Sequence, residues 1–187
     1  RFVSGVVDTS KEFEKFGAIL KTTEGSAVGA QKALGWVANF AQTTPYEVAE
    51  VTEAFVKLRA YGMDPTHKTA KDGTTLLKTL GNTAAAMGKP LSQAVEAIAD
   101  AVTGENERLK EFGIKASKQG QEITYSYTAA GKQMTATANI NSRAMIEATL
   151  AGIWNKKYAG AMDELSKTWA GITSNISDAW TGFQVKV

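Results

Sequence analysis

The sequence predicts an α+β protein that is predominantly α-helical. Antiparallel helix hairpins carry a small antiparallel β-hairpin or sheet, followed by a C-terminal helical extension. Three observations carry this prediction. Apolar residues recur at steps of three and four through most of the chain. One stretch, near 122–138, changes to a step of two. Prolines and glycines sit at the ends of helix-length segments rather than within them. The expected organisation is a helical domain over 1–158, with the hairpin near 122–138, and a C-terminal helix over 159–187.

The N-terminal stretch is ambiguous. Phe16-Gly-Ala18-Ile-Leu20-Lys-Thr22 is assigned as a third strand for the hairpin, although Phe13, Phe16 and Leu20 also fit one helix face. Ser26 is positioned to cap a helix over 27–42. Its stripe is Ala30, Leu34, Val37 and Ala41, widened by Trp36 and Phe40. "TTPYE" then starts another helix, with Thr44 as N-cap, Pro45 at the first helical position and Glu47 closing a capping box. Val48, Val51, Phe55 and Leu58 give its buried face. The short link between these helices predicts an antiparallel hairpin.

A further helix is expected over 74–87 on Leu77, Leu80, Ala84 and Met87. Gly88 stops it and Pro90 starts the next. That next helix carries Leu91, Val95, Ile98 and Val102, with Ala94, Ala97 and Ala101 allowing close approach of a neighbour. Gly104 interrupts it before the charged segment "ENERLKEF". Ile123, Tyr125 and Tyr127 then alternate with polar residues. So do Met134, Ala136 and Ala138, giving a hairpin that turns around Gly131. Two strands alone are marginal in water, so a partner is required. Asn141 is the expected cap of the last helical region, whose face is Ile146, Leu150 and Ile153. A second seam runs Met162, Leu165, Trp169, Ile172, Ile176, Trp180 and Phe183. Trp169, Ile172, Ile176 and Trp180 are the candidate partner seam.

Two segments are twins. "LKEFGI" (Leu109–Ile114) repeats the pattern of "LRAYGM" (Leu58–Met63): leucine, base, variable residue, aromatic, glycine, aliphatic. With Gly62 and Gly113 as left-handed stops, Leu58 and Leu109 fall where Schellman geometry brings them toward Met63 and Ile114. These six residues are the candidate structural helix stops. They imply two similar helix hairpins, 26–63 and 74–114.

Composition excludes several functions. With 43% hydrophobic and 21% charged residues, the 187-residue chain has the make-up of a folded globular protein. A net charge of +2 with no Lys/Arg stripe argues against phosphate-backbone binding. There is no cysteine, hence no disulfide framework, thiolate nucleophile or Cys-ligated metal. A reducing compartment fits that absence. The start has no secretory apolar core, and no run approaches the roughly 20 apolar residues of a membrane span. With Arg1 in place of an initiating Met, a segment of a longer chain is expected.

Candidate chemistry is thin. Glu105, Glu107 and Glu111 are the densest acidic group. They read as metal ligands or an acid/base pair, or as a solvated helix end with local ion pairs; the interleaved Arg108 and Lys110 favour the latter. His67, the single histidine, has only Asp64 and Asp72 near it in sequence, so a surface histidine is expected. "GTTLLKTLG" and "GSAVGAQKALG" match neither phosphate-binding glycine pattern. Tyr125 and Tyr127 offer base-stacking surfaces on a sheet, but core packing is the better reading where few basic residues accompany them. No catalytic, cofactor-binding or metal residue is assigned, and no cofactor.

Taken in order, "FEKFGAILKTTEGSAVGAQKALGWVANFAQTTPYEV", "LRAYGMDP", "LKTLGNTAAAMGKPLSQAVEAIADAVTGENERLKEFGIKA", "ITYSY" and "KKYAGAMDELSKTWAGITSNISDAW" resemble the tape measure proteins of long-tailed bacteriophages and prophages. The similarity is to a domain toward the N-terminal side of those chains and spans almost the whole sequence. It implies a structural virion protein that lies in the tail lumen, sets tail length during assembly and aids genome delivery. Its implied partners are tail tube and tail-tip or baseplate proteins, a tail assembly chaperone in the host cytoplasm, and further copies of itself. No specific nucleic-acid sequence is implied, and membrane contact only during ejection. Some relatives carry a peptidoglycan-cleaving domain, but no residue set for it is present to carry over. The seam after Ala159 is expected to lead into a longer helical region. Two other readings are a cytosolic helical adaptor and a hydrolase using Glu105, Glu107 or His67.

Overall fold

The computed structural model describes residues 2–167 and 180–184, with backbone only for 2–10. By packing, the chain divides into two compact units, residues 1–60 with 162–187 and residues 61–161. By this division residues 162–187 group with the first helices.

In the first unit, α1 (Phe2–Glu24), α2 (Ala27–Gln42) and α3 (Val48–Ala60) pack pairwise. The N-terminal segment is therefore helix throughout, and the strand expected over 16–22 does not form. As a helix it brings Phe13, Phe16 and Leu20 onto one face, and all three are buried. A strand would leave Phe13 outside the Phe16/Leu20 row. Burying a side chain of this size contributes about 2 kcal/mol, and that decides the conformation. Ser26 caps α2 as its position implies, accepting from the Gly29 N–H at 2.9 Å. Thr44 does not cap α3. The helix begins at Val48, with Val51 N–H bonded to Glu47 O at 3.0 Å. Thr43 first closes α2 through its backbone and hydroxyl, to Asn39 and Phe40 carbonyls. The chain then bends to bury Tyr46, leaving Thr44 Oγ1 buried and unpartnered among the described residues. Trp36 stacks on Phe40 at 5.3 Å and tilts over Phe55 at 5.9 Å, joining α2 to α3. Arg59 pairs with Glu24 at 3.1 Å and lies over the Phe55 ring.

The second unit holds α4 (Leu76–Met87), α5 (Leu91–Val102), a 3-10 helix (Glu107–Phe112), strands β1 (Ile114–Gln119), β2 (Glu122–Ala129) and β3 (Lys132–Asn139), and α6 (Arg143–Tyr158). α7 (Ala161–Ser166) follows. Thr75 caps α4, Gly88 ends it at φ +62, and α5 starts directly after Pro90. "ERLKEF" is a 3-10 helix rather than an α-helix. Gly104, at φ +102, separates this segment from α5. Ser142, not Asn141, caps α6, accepting from Met145 N–H at 3.2 Å. Asn141 stands one residue early, and its own N–H bonds to the Asn139 side chain at 2.8 Å.

The sheet is antiparallel, in order β1-β2-β3. Its third strand is β1, a segment with a single fully buried residue, Ile114. The two-residue turn at Gly120-Gln121 sets its register, pairing Gln119 with Glu122. Inward rows alternate size: Ala116–Tyr125–Ala136 and Ile114–Tyr127–Met134. The two alanines make room for the Tyr125 ring, while Tyr127 packs between Ile114 and Met134, and both tyrosines are core. The Tyr125 hydroxyl has no hydrogen-bond partner among the described residues, and burial pushes its pKa up to about 12. α6 packs on β2 and β3, and the 3-10 helix on β1.

Candidate functional site

The two glycine stops have the same backbone but different surroundings. Gly62 lies at φ +79 and Gly113 at φ +78, where a side chain costs roughly 1–2 kcal/mol. Leu109 and Ile114 are fully buried, as is Leu58, and Met63 is buried as well. Gly113 N–H bonds back to Lys110 O at 3.3 Å, closing the 3-10 helix. A Cβ at Gly62 would meet open space. At Gly113 it would stand 2.5 Å from Lys157 Nζ and 2.9 Å from Tyr158 Oη.

Those atoms belong to α6, which braces both stops. Phe112 O, just before Gly113, accepts from Trp154 Nε1 and from Tyr158 Oη, each at 3.3 Å. Lys157 Nζ reaches Gly113 O at 3.5 Å. The Phe112 ring meets Trp154 edge-on at 6.2 Å. At the other stop, Tyr61 O, just before Gly62, accepts from Arg143 at 3.2 Å. The twins thus share a device absent from their own sequences. In each, the carbonyl of the aromatic residue before the glycine is held by a side chain of the same helix.

The 61–75 connector is fixed to α6 along a second line. Asn155 Nδ2 donates to Thr69 Oγ1 at 3.1 Å and Thr79 Oγ1 donates to Asn155 Oδ1 at 2.7 Å; Thr69 and Thr79 close the triangle at 2.8 Å. His67 Nδ1 lies 3.3 Å from Glu147 Oε1. Its partner therefore comes from α6, not from Asp64 or Asp72. Those two aspartates instead turn the loop, accepting from the N–H and hydroxyl of Thr66 and Thr74 respectively. The Thr74 hydroxyl and N–H hold the Asp72 carboxyl below its usual range. Glu147 is only 14% exposed. Its pKa is raised by loss of water, with Asp64 adding to the rise and His67 opposing it.

The acidic trio does not converge as a set. Glu105 and Glu107 line one open cavity with Asp100 and Arg108, and Glu107 pairs with Lys110 at 3.1 Å; Glu111 lies outside that cavity and pairs with Lys89 at 3.8 Å. Arg108 bridges Glu96 and Asp100 of α5, at 2.9 Å each. Of the candidate partner seam, Trp169, Ile172 and Ile176 lie outside the described residues. Trp180 packs in the first unit, 5.3 Å from Phe13 and 5.7 Å from the buried Phe183. Among the described residues no three acidic or histidine groups are placed to hold a metal ion, and no helix is long and apolar enough to cross a membrane.

Sequence reasoning missed the α6 brace. Trp154, Tyr158 and Arg143 look like an ordinary core aromatic, a helix-end tyrosine and a first-turn base. A signal was present only in the twins, whose carbonyls need donors once glycine breaks the helix ladder.

What these residues build is a structural module, with its connectors and helix stops tied down by side chains. A family model described as "Tape measure protein" matches residues 4–187. No curated protein and no solved structure matches the chain. The chain belongs to the tape measure protein family, whose members are structural proteins of phage tails.

Proposed function

We propose that the chain is a structural module of a tail tape measure protein, setting tail length during assembly and aiding delivery of the genome. The family match across residues 4–187 carries this reading. In it the module works through packing, not catalysis, and the pairing of Glu107 with Lys110 and of Glu111 with Lys89 supports that side of the proposal. It resides in the tail lumen of the virion, after assembly in the host cytoplasm. Its partners are tail tube and tail-tip or baseplate proteins, a tail assembly chaperone and further copies of itself. Membrane contact is confined to ejection.

The test is made on assembled tails. Peptides from residues 1–187 are expected in purified tails by mass spectrometry. In-frame removal of helical residues from the gene is expected to shorten tails by about 1.5 Å per residue, the rise of an α-helix, measured by electron microscopy. Tails that lack the chain, or whose length ignores the deletion, would overturn the proposal.

A further inference from the structure

β3 is an edge strand, and among the described residues no further strand pairs with its outer side. Its turn with β2 has two residues, Ala130 (φ +50) and Gly131 (φ +75), and pairs Ala129 with Lys132. In such a hairpin the pair flanking the turn is hydrogen-bonded, and pairs alternate from there. Lys132, Met134, Ala136 and Ala138 therefore direct their backbone groups to β2. Gln133, Thr135, Thr137 and Asn139 direct theirs outward. Two contacts agree with this parity: Ile140 N–H bonds to Gln121 O at 2.9 Å, and Asn139 N–H turns out to Met145 Sδ at 3.2 Å. Met145 of α6 lies on this outer row and is itself 48% exposed; Lys156, further along α6, reaches Met134 Sδ at 3.3 Å. Gln133, Thr135 and Thr137 are exposed. Natural edges are blunted by proline, bulges or central lysines. β3 has no proline, pairs with β2 without a bulge, and carries its single charge at the turn end, on Lys132.

The edge is also a chemical palindrome. Gln133-Met-Thr-Ala136-Thr-Ala-Asn139 reads amide, apolar, threonine, alanine, threonine, apolar, amide in both directions. We propose that β3 pairs antiparallel with β3 of a second copy of this chain, about a two-fold axis at Ala136, to join two three-stranded sheets into one of six strands. The parity fits this register. Outward-facing Thr135 meets Thr137 of the other copy, and Gln133 meets Asn139, whose N–H exchanges Met145 Sδ for the Gln133 carbonyl. Hydroxyl faces hydroxyl and amide faces amide, pairings that favour antiparallel strands. The two Lys132 charges end about 27 Å apart, at 3.4 Å per residue, so like charges never meet. The contact is isologous and closes on itself, giving a dimer and not a fibre.

The chain has no cysteine, so a single introduced thiol reports the register. Ala136→Cys places the thiols across the axis at a non-hydrogen-bonded pair, within disulfide reach. On mild oxidation of the 187-residue chain, Ala136→Cys is expected to cross-link at least roughly tenfold faster than Ser117→Cys, on the exposed face of β1, because strand pairing raises the local thiol concentration. Adding Thr135→Pro removes one outward N–H and no bond to β2, so it should abolish the fast cross-link while the circular dichroism stays unchanged. If proline perturbs the fold, Thr135→Lys with Thr137→Lys replaces it with the same expectation. Equal cross-linking rates at positions 136 and 117, or a fast rate that survives the edge substitutions in a folded protein, would overturn the proposal.

Discussion

At the scale of single residues, Gly62 and Gly113 separate two costs that sequence alone merges. Both need positive φ, but only Gly113 has α6 atoms against its Cβ position. Gly62→Ala should cost about 1 kcal/mol from backbone strain alone. Gly113→Ala should cost about 2 kcal/mol, since it also displaces the Tyr158 hydroxyl from Phe112 O; the Lys157 amine can swing away cheaply. Urea denaturation of both variants checks the order, and equal losses would argue against the brace. Tyr125 gives the opposite sign. Its hydroxyl is buried without a partner among the described residues, so Tyr125→Phe should raise stability by about 1 kcal/mol. It should also delay alkaline unfolding. With the folded pKa raised to about 12 from 10.0, the stability tied to the neutral phenol is present below pH 10 and lost as pH rises toward 12. The same sign applies to Glu147. Its folded pKa is raised above 4.5, so stability is full below that value and declines as pH rises through the folded pKa. Glu147→Gln should therefore melt like the parent at pH 4 and above it at pH 7, as thermal melts across that range would record.

At the scale of elements, α6 ties β2, β3, the connector and the helix stops together through one helix. Phe112 O has two donors. Losing either one leaves the carbonyl satisfied, while losing both leaves a buried acceptor bare. Trp154→Phe and Tyr158→Phe should each cost roughly 0.5–1.5 kcal/mol. The double variant should cost more than their sum, with a coupling of at least about 0.5 kcal/mol in a double-mutant cycle. Strict additivity would mean that the two donors act independently. The 3-10 helix is the element most dependent on its surroundings. Six residues cannot hold a helical form in water, and Arg108 anchors this one to Glu96 and Asp100 of α5.

At the scale of the whole molecule, residues 61–161 form a continuous compact unit with its own core, whereas the other unit needs residues from both chain ends. A fragment of residues 61–161 should therefore fold cooperatively in isolation and keep the sensitivity to Gly113→Ala. A fragment of residues 1–60 should be less stable than the same segment in the full chain. Circular dichroism melts of the two fragments check both statements. Packing also explains where reading the sequence succeeded. Ser26, Gly88, Pro90, the Leu91–Val102 stripe and the Tyr125/Tyr127 alternation are local signals, in which a cap, a stop or a period acts within a few residues. β1 was illegible because an edge strand needs only one buried side chain, Ile114, and its register comes from the turn at Gly120-Gln121. The strand assigned to 16–22 failed because period two and period 3.6 agree over so short a run. The helix prevailed by burying Phe13 as well.

By itself the sequence determined the helix-rich α+β class, most helix ends, the core faces and, through the joint order of its motifs, the tape measure family. These depend on residues close in sequence or on the chain as a whole string. Only the tertiary structure decided what holds Tyr61 O and Phe112 O, why His67 faces Glu147, and which edge of the sheet stays open. Each of those pairs groups 42 or more residues apart or turns on strand parity. Local periodicity carries no information about a donor that a distant helix delivers.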